Sequence, residues 1–207
     1  MELLEHYEKM KDEIKTRLND FSGMMQRSDE QLFEELVFCL LTPQSKARVC
    51  DRAVKKLKEK NVLFSGSEPE VKKWIAGVRF PNVKAKHVVA ARNFFMNGNT
   101  IKIKEKLHGS SKELREWLVK NVRGLGYKEA SHFLRNIGIG FDLAILDRHI
   151  LKNLKKHGVI DEIPKSLTPK KYLGIEEEMS RFEGYWWSPD GEWIVYQETD
   201  ETYVEQL

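Results

Sequence analysis

A lysine and an aspartate stand at two predicted helix starts, and a pair of this kind can perform covalent chemistry. Lys128 follows two glycines, and Asp147 closes the apolar stretch of FDLAILDRHI further along the chain. The dipole at a helix start disfavours a cation by roughly a few tenths of a kcal/mol, which favours a neutral, nucleophilic amine. Two helix starts can converge on one cleft and bring amine and carboxylate together. The ordinary alternative for Asp147 is a helix N-cap.

The segment before Lys128, VRGLGYKEA, predicts a tight turn between two helices. One helix ends near Val122, and Gly124 and Gly126 permit the left-handed backbone angles that a short turn needs. The next helix starts at once, so its unpaired N–H groups point back into the turn and could bind a phosphate. The hairpin alone does not distinguish this from a plain helix–helix turn with glycine caps.

Helices are predicted for most of the chain, from apolar periodicity and capping signals. Ser28 and Ser110 each precede a residue suited to a capping box, Gln31 and Glu113, three positions on. The predicted helical segments are 28–42, 45–60, 67–78, 83–95, 110–122, 127–138, 147–158 and 168–182. The segment 184–207 differs, since a Pro-Asp-Gly turn precedes the β-prone WIVYQET, which predicts a hairpin or strand.

Composition favours a globular protein: 41% of the 207 residues are hydrophobic and 32% are charged. The charged N-terminus resembles no signal peptide, and no apolar run approaches a membrane span, so we expect a cytoplasmic location and no membrane partner. Cys39 and Cys50 are the two cysteines, too few for a four-thiolate zinc or iron–sulfur site. We expect no disulfide in that compartment.

Charge is distributed unevenly along the chain. The formal net charge is +3, but residues 184–207 contain six acids and no Lys or Arg, so residues 1–183 carry +9. A body this basic suits a polyanionic partner, although a lysine-rich surface alone would look the same.

The stretch GLGYKEASHFLRN…LAILDRHI resembles the helix-hairpin-helix DNA glycosylases with a Gly/Pro-rich loop and Asp, and more narrowly the archaeal-type 8-oxoguanine DNA glycosylase/AP lyases. CLLTPQSKA and GVRFPNVKAKHVVAAR also resemble segments of that family. The resemblance implies an all-α, two-lobed fold for residues 1–183, with the hairpin at about 113–138 and a divergent, β-prone tail at 184–207.

This resemblance also implies a base-excision-repair activity. Lys128 would attack C1′ of an extruded 8-oxoguanine nucleotide and form a Schiff base, with Asp147 as its partner, and β-elimination would cut the strand on the 3′ side. No metal or redox cofactor is then needed, although a structural monovalent ion at the hairpin carbonyls is compatible with the sequence. We expect a monomer that acts on double-stranded DNA containing oxidised guanine, associated with the nucleoid.

Several residues are candidate DNA contacts, and of these Gln44 rests on the same resemblance. Gly124, Gly126 and His149 would lie against the backbone, and Gln44 would enter the gap left by the extruded base. A solvent-exposed loop glutamine is the alternative for Gln44. Phe80 would stack on the base, and its alternative is core packing.

The remaining polar candidates are weaker. Arg79, Lys84 and Lys86 would meet phosphates or simply form a solvated face. His132 and His149 are well separated in sequence and have no ligand cluster nearby, so we expect structural or DNA-facing histidines rather than metal ligands.

The tail departs from the family, whose closing helix normally forms one wall of the base pocket. Residues 184–207 instead resemble a propeller segment of dipeptidyl peptidase IV-type proteins. Trp193, together with Trp186 and Trp187, would replace the missing wall by stacking, and Leu207 would supply a terminal carboxylate. These aromatic residues would alternatively cover exposed core.

Three alternatives stay open from the sequence. A non-enzymatic helix-hairpin-helix DNA-binding module would keep the glycines but would not need the Lys128–Asp147 spacing. A glycosylase for another oxidised base, such as a pyrimidine, would use the same two residues. The third alternative is a catalytically weak remnant whose altered tail no longer recognises the base.

Overall fold

The computed structural model describes residues 2–181, 186–187 and 194–195, and helices dominate this part of the chain. This confirms the all-α prediction. The helices are α1 (Glu2–Ser22), α2 (Asp29–Leu41), α3 (Ala47–Glu59), α4 (Glu68–Trp74), α5 (Pro81–Phe95), α6 (Ser111–Asn121), α7 (Tyr127–Asn136), α8 (Arg148–Lys156) and α9 (Pro169–Arg181). Two 3₁₀ turns lie at Met24–Gln26 and Lys104–Lys106.

The predicted capping boxes form at the helix starts. Ser28 accepts the Gln31 N–H at 3.3 Å, while the Gln31 side chain accepts the Ser28 N–H at 3.3 Å. Ser110 and Glu113 repeat the arrangement before α6. Each box satisfies backbone donors that the first helical turn leaves unpaired, which is why these boundaries are encoded locally.

Two short antiparallel strand pairs interrupt the helices. Strand β1 (Met96–Asn97) pairs with β2 (Thr100–Ile101) through a turn in which Gly98 has φ 59°. This hairpin was not predicted from the sequence, although Asn-Gly is a strong turn signal. Strand β3 (Trp186–Trp187) pairs with β4 (Ile194–Val195), in agreement with the hairpin predicted for the tail.

The described chain divides into two compact units, and the larger spans residues 21–143. Helix α2 supplies much of its core, because seven of the 13 residues of that helix are buried. Cys39 and Cys50 are free, fully buried thiols in this core, and the Cys50 thiol donates to the Leu41 carbonyl at 3.2 Å. Burial raises the pKa of both thiols.

The other unit combines residues 2–20 with the described residues from 144 onward. Its buried apolar side chains include those of Ile145, Leu146 and Ile150. The Tyr172 hydroxyl donates to the Ala144 carbonyl and accepts the Leu146 N–H at 3.2 Å. These bonds fix the segment that leads into Asp147.

The unit boundaries do not test the division into residues 1–183 and 184–207, which stays a prediction. In the part of the chain that the structure describes, no helix is both long and apolar enough to cross a bilayer.

Candidate active site

The glycine turn connects α6 to α7 where the sequence predicted it. Helix α6 is capped by Val122, whose carbonyl accepts the Leu125 N–H at 3.2 Å, and both side chains are buried. Gly126 is the N-cap of α7 and has no side chain with which to occupy the first-turn N–H groups. The exposed backbone of Gly124 and Gly126 is therefore accessible to an anionic group.

Gly124 needs to be glycine for two reasons. Its φ is 97°, a left-handed conformation that residues with a Cβ rarely adopt. A Cβ at this position would also lie 2.3 Å from Nδ1 of His87, a half-buried residue of α5. The turn therefore packs its backbone directly on an imidazole, a contact that the sequence analysis did not anticipate.

Lys128 lies in the first turn of α7 with its side chain 23% exposed. Its Nζ is 3.9 Å from Oε1 of Glu129, the next residue. The amine is thus partly removed from water yet reachable from outside, as a nucleophile must be.

His132 lies one helical turn after Lys128. Its Nδ1 is buried and bonds no residue in the described part of the chain, and its ring meets Phe38 edge-on with centroids 5.8 Å apart. Burial, and then the positive charges of Lys128 and Arg135, hold the pKa of His132 well below 6.5. The geometry favours the structural interpretation of this histidine.

A polar link joins α7 to α2 beyond His132. The Asn136 amide donates to Glu35 Oε2 at 3.0 Å, and Arg135 Nε donates to Asn136 Oδ1 at 3.0 Å. Burial raises the pKa of Glu35, while the bond from Asn136 acts in the opposite direction. These contacts fix the helix that presents Lys128.

Asp147 is the N-cap of α8, as one of its two interpretations predicted. Its Oδ1 accepts the Ile150 N–H at 2.8 Å, and its backbone is extended at φ −91° and ψ 179°. No described residue bonds Oδ2. The carboxylate, half-buried, can therefore cap the helix and still offer one oxygen to another group.

Asp147 belongs to the unit that contains α8 and Lys128 to the unit of residues 21–143. Their catalytic pairing accordingly stays a prediction. His149 is exposed in the first turn of α8, and so is Arg148 beside it. Exposure is what a DNA contact requires, but it does not test that role.

Gln44 and Phe80 both lie at the surface in unusual backbone conformations. Gln44 is exposed in the turn between α2 and α3 with φ 55°, and Phe80 is the N-cap of α5 with φ 60°. Phe80 is 50% exposed, so its alternative assignment to the core is wrong. Arg79 lies over the Phe80 ring, 5.1 Å from its centroid.

Lys84 is not available to a phosphate, and neither is it part of a solvated face. It is only 4% exposed, and its Nζ bonds oxygens of the α2–α3 connection. Burial lowers the pKa of Lys84. Arg79 and Lys86 are exposed, as phosphate contacts must be.

Periodicity could have identified this lysine. Lys84, Val88 and Arg92 recur at every fourth position, so they share one face of α5, and all three are buried. Lys84 was instead predicted to contact a phosphate or to lie on a solvated face, and both interpretations are wrong because its side chain is buried.

The remaining candidates lie elsewhere or cannot be placed. Trp193 and Leu207 lie outside the described residues, and Trp186 and Trp187 are described only as strand β3. Within the described ranges, no group of three or more His, Cys, Asp or Glu side chains is arranged to hold a metal ion.

Comparison with known proteins bears directly on this site. Residues 14–185 match the model of the 8-oxoguanine DNA glycosylase family. The chain belongs to this family. A relative from Fusobacterium nucleatum named 8-oxoguanine DNA glycosylase/AP lyase is 46% identical over 176 residues, covering 84% of this chain and 81% of the relative. A relative of the same name from Korarchaeum cryptofilum is 45% identical over 179 residues, covering 83% and 80%.

Solved glycosylase structures share the fold. The 8-oxoguanine glycosylase/lyase of Methanocaldococcus jannaschii, in complex with a 15mer DNA containing 8-oxoguanine, superposes with a TM-score of 0.76 at 37% identity and covers 87% of each chain. Residues 174–207 separately match the model of the dipeptidyl peptidase IV N-terminal region, in agreement with the resemblance of the tail.

Proposed function

We propose that this protein excises 8-oxoguanine from double-stranded DNA and then cleaves the strand at the resulting abasic site. The observation on which the proposal rests is the position of Lys128, half-buried at the start of α7 directly after the glycine turn. A family whose members are named glycosylase/AP lyases needs a group that joins the two reactions, and a lysine amine can do so.

The lysine chemistry follows from that position. The neutral Lys128 amine attacks C1′ of the extruded nucleotide, and the C1′–N9 bond breaks with its electron pair leaving on the base. The nitrogen then loses a proton to the departed base, and cleavage of the C1′–O4′ bond, with protonation of O4′, opens the sugar ring and gives a Schiff base. Removal of a C2′ proton then expels the 3′ phosphate, which is the β-elimination step.

Asp147 supports the first step in this proposal. Its ionised carboxylate stabilises the positive charge that develops on the sugar as the base leaves. Oδ1 caps the helix, and no described residue bonds Oδ2. We therefore assign Oδ2 to the stabilisation of this charge.

DNA binding is assigned to the surfaces around these groups. The backbone of Gly124 and Gly126 receives a phosphate, His149 contacts the strand, Gln44 enters the gap and Phe80 stacks on the extruded base. Each of these five residues is exposed, which the roles require. Trp193 and Leu207 stay assigned to the base pocket by resemblance alone.

We further propose that one chain acts alone on one lesion, in the cytoplasm at the nucleoid. Sedimentation of the protein with a lesion-containing duplex would measure the stoichiometry, and one chain per duplex is the expected value.

The proposal is tested by borohydride trapping on duplexes that contain one 8-oxoguanine, one abasic site or no damage. We expect a covalent band with the first two, and its loss in Lys128→Gln, which keeps DNA binding. Lys72→Gln, at an exposed lysine of α4, is the matched control and should trap normally. A trapped Lys128→Gln band would contradict the nucleophile assignment.

The three duplexes distinguish the proposed function from its alternatives. A band with abasic DNA alone would mean that the lysine works and the base pocket recognises another lesion. Loss of trapping on every duplex, with DNA binding retained, would favour the non-enzymatic binding module.

A further inference from the structure

Two of the exposed residues assigned to DNA share an energetically costly backbone conformation. Among the described residues, Gln44, Asn61 and Phe80 are the non-glycine residues with positive φ, at 55°, 55° and 60°. Asparagine enters this region readily, whereas glutamine and phenylalanine do so only with backbone strain. Such conformations persist only where neighbouring groups stabilise them, and contacts of Lys84 and Ser45 stabilise both segments.

Lys84 bonds the segment that contains Gln44. Its Nζ donates to the Leu41 carbonyl at 2.7 Å, the Pro43 carbonyl at 2.6 Å and the Ser45 hydroxyl at 3.1 Å. An ammonium group has three donors, and all three are used on residues that flank Gln44. Charge-assisted bonds of this kind are roughly twice as strong as neutral ones.

The same lysine is bonded to the segment that contains Phe80. Its backbone N–H donates to the Phe80 carbonyl at 3.1 Å, which is the first helical bond of α5 and does not depend on the side chain, so the side chain reaches this segment through Ser45. The Ser45 hydroxyl that accepts from Lys84 also accepts the Arg79 N–H at 3.0 Å. The Ser45 hydroxyl therefore bonds both the buried Lys84 ammonium and the backbone of Arg79. Ser45 follows Gln44 and Arg79 precedes Phe80, so the two segments are connected.

We propose that Lys84 is a positioning residue that fixes the backbones of Gln44 and Phe80 in the conformations used to fill the gap and to stack on the extruded base. The inference rests on the proposed function for the roles of those two side chains. Fixing both segments before DNA arrives avoids the cost of ordering them on binding.

Arg92 provides a matched control on the same helix. It is also buried on this face of α5, two helical turns beyond Lys84, which is about 12 Å along the helix axis. Its Nη1 donates to the carbonyls of Val62 and Leu63, at 3.5 and 3.4 Å. Arg92→Met therefore removes a buried cation from backbone carbonyls without touching either DNA-facing segment.

The experiment measures the affinity of the full chain for a duplex with one tetrahydrofuran abasic analogue, relative to an undamaged duplex, at one salt concentration. Lost preorganisation should lower this preference about tenfold in Lys84→Met and by a similar factor in Gln44→Ala. Because both changes act through the same side chain in the gap, the double variant should fall little further than Lys84→Met alone. Arg92→Met should keep the wild-type preference.

A wild-type preference in Lys84→Met would overturn the inference, and so would losses that multiply in the double variant. A wild-type chain without any preference would overturn it as well. If Lys84→Met does not fold, Ser45→Ala is used, since it removes the hydroxyl that Lys84 and Arg79 share. An unchanged preference in Ser45→Ala would then count against the inference.

The assay needs no catalysis, so the two proposals fail separately. A chain that prefers the abasic analogue through Lys84 but is never trapped by borohydride would retain the positioning role and lose the glycosylase/lyase assignment. A chain that is trapped, yet whose preference is independent of Lys84, would show the reverse.

Discussion

At the scale of single residues, the proposal assigns Asp147 two tasks that depend on different atoms. Its Oδ1 caps α8 through the Ile150 N–H, and Oδ2 is the oxygen assigned to the developing positive charge on the sugar. Substitutions can separate the tasks because asparagine caps a helix about as well as aspartate does but carries no charge.

We expect Asp147→Asn to fold with nearly unchanged stability and to release 8-oxoguanine about a hundredfold more slowly, because charge stabilisation of the transition state is lost. Asp147→Ala should also lose the cap, at about 1 kcal/mol of unfolding free energy. Single-turnover base release and urea unfolding measure the two effects. A wild-type rate in Asp147→Asn would reduce Asp147 to a helix cap.

Because the pKa of His132 is depressed, we expect this residue to destabilise the folded protein in acid. The folded protein keeps this imidazole neutral, so below about pH 6.5 the unfolded chain binds the proton more readily and the free energy of unfolding falls. Glu35 acts with the opposite sign, since its raised pKa lets the folded state take up a proton as the pH falls.

His132→Leu should therefore lose less stability between pH 7 and pH 5 than the wild type does. Thermal unfolding across that range is the measurement. His108→Leu, at an exposed histidine, serves as the control and should leave the pH profile unchanged. Equal profiles for wild type and His132→Leu would remove His132 as a cause of acid destabilisation.

At the scale of elements, the α6–α7 turn depends on one glycine more than on the other. Gly124 has φ 97° and meets the His87 ring, whereas Gly126 is an extended N-cap whose added Cβ would lie 3.0 Å from Glu129 Oε2, the end of a flexible side chain. The two positions thus differ in backbone strain and in the stiffness of the neighbour.

We expect Gly124→Ala to cost about 1–3 kcal/mol of unfolding free energy and to weaken DNA binding. Gly126→Ala should cost clearly less, because no left-handed backbone is involved. Denaturant unfolding of the two variants side by side tests this order. Equal costs would mean that neither the φ of Gly124 nor the His87 contact limits the turn.

Predictability from sequence also differs between elements. Helix starts such as those at Ser28 and Ser110 were predictable because a capping box lies within four consecutive residues. The acceptors of the Lys84 ammonium were not, because all three lie about 40 positions earlier and two of them are main-chain carbonyls. Long-range contacts to backbone atoms leave almost no trace in residue types.

The features of the candidate site also differ in how well the sequence predicts them. The turn around Gly124 and the cap at Asp147 follow from local sequence, and the structure contains both. The contact of Gly124 with His87 joins positions that are distant in sequence and has no local signal.

At the scale of the whole molecule, two segments of the chain carry net charges of opposite sign. The segment 1–183 carries a formal charge of +9, and the segment 184–207 carries −6. Phosphate contacts by Lys and Arg dominate nucleic-acid affinity, whereas acidic groups near DNA repel it.

Replacing the six acids of the tail by Asn and Gln should therefore raise the affinity for undamaged duplex and make it fall more steeply with salt. The acids are Asp190, Glu192, Glu198, Asp200, Glu201 and Glu205. Fluorescence anisotropy across a salt series measures both quantities. An unchanged affinity would indicate that the tail charges act too far from the DNA to matter.

The burial of both cysteines has a chemical consequence for a protein of this family. Oxidants attack the thiolate of an accessible cysteine, and Cys39 and Cys50 are fully buried with raised pKa values, so neither condition is met. Oxidised guanine forms where peroxides and radicals are abundant. Neither thiol is accessible at the surface, so we expect both to resist sulfenylation and mixed-disulfide formation under the conditions that oxidise guanine.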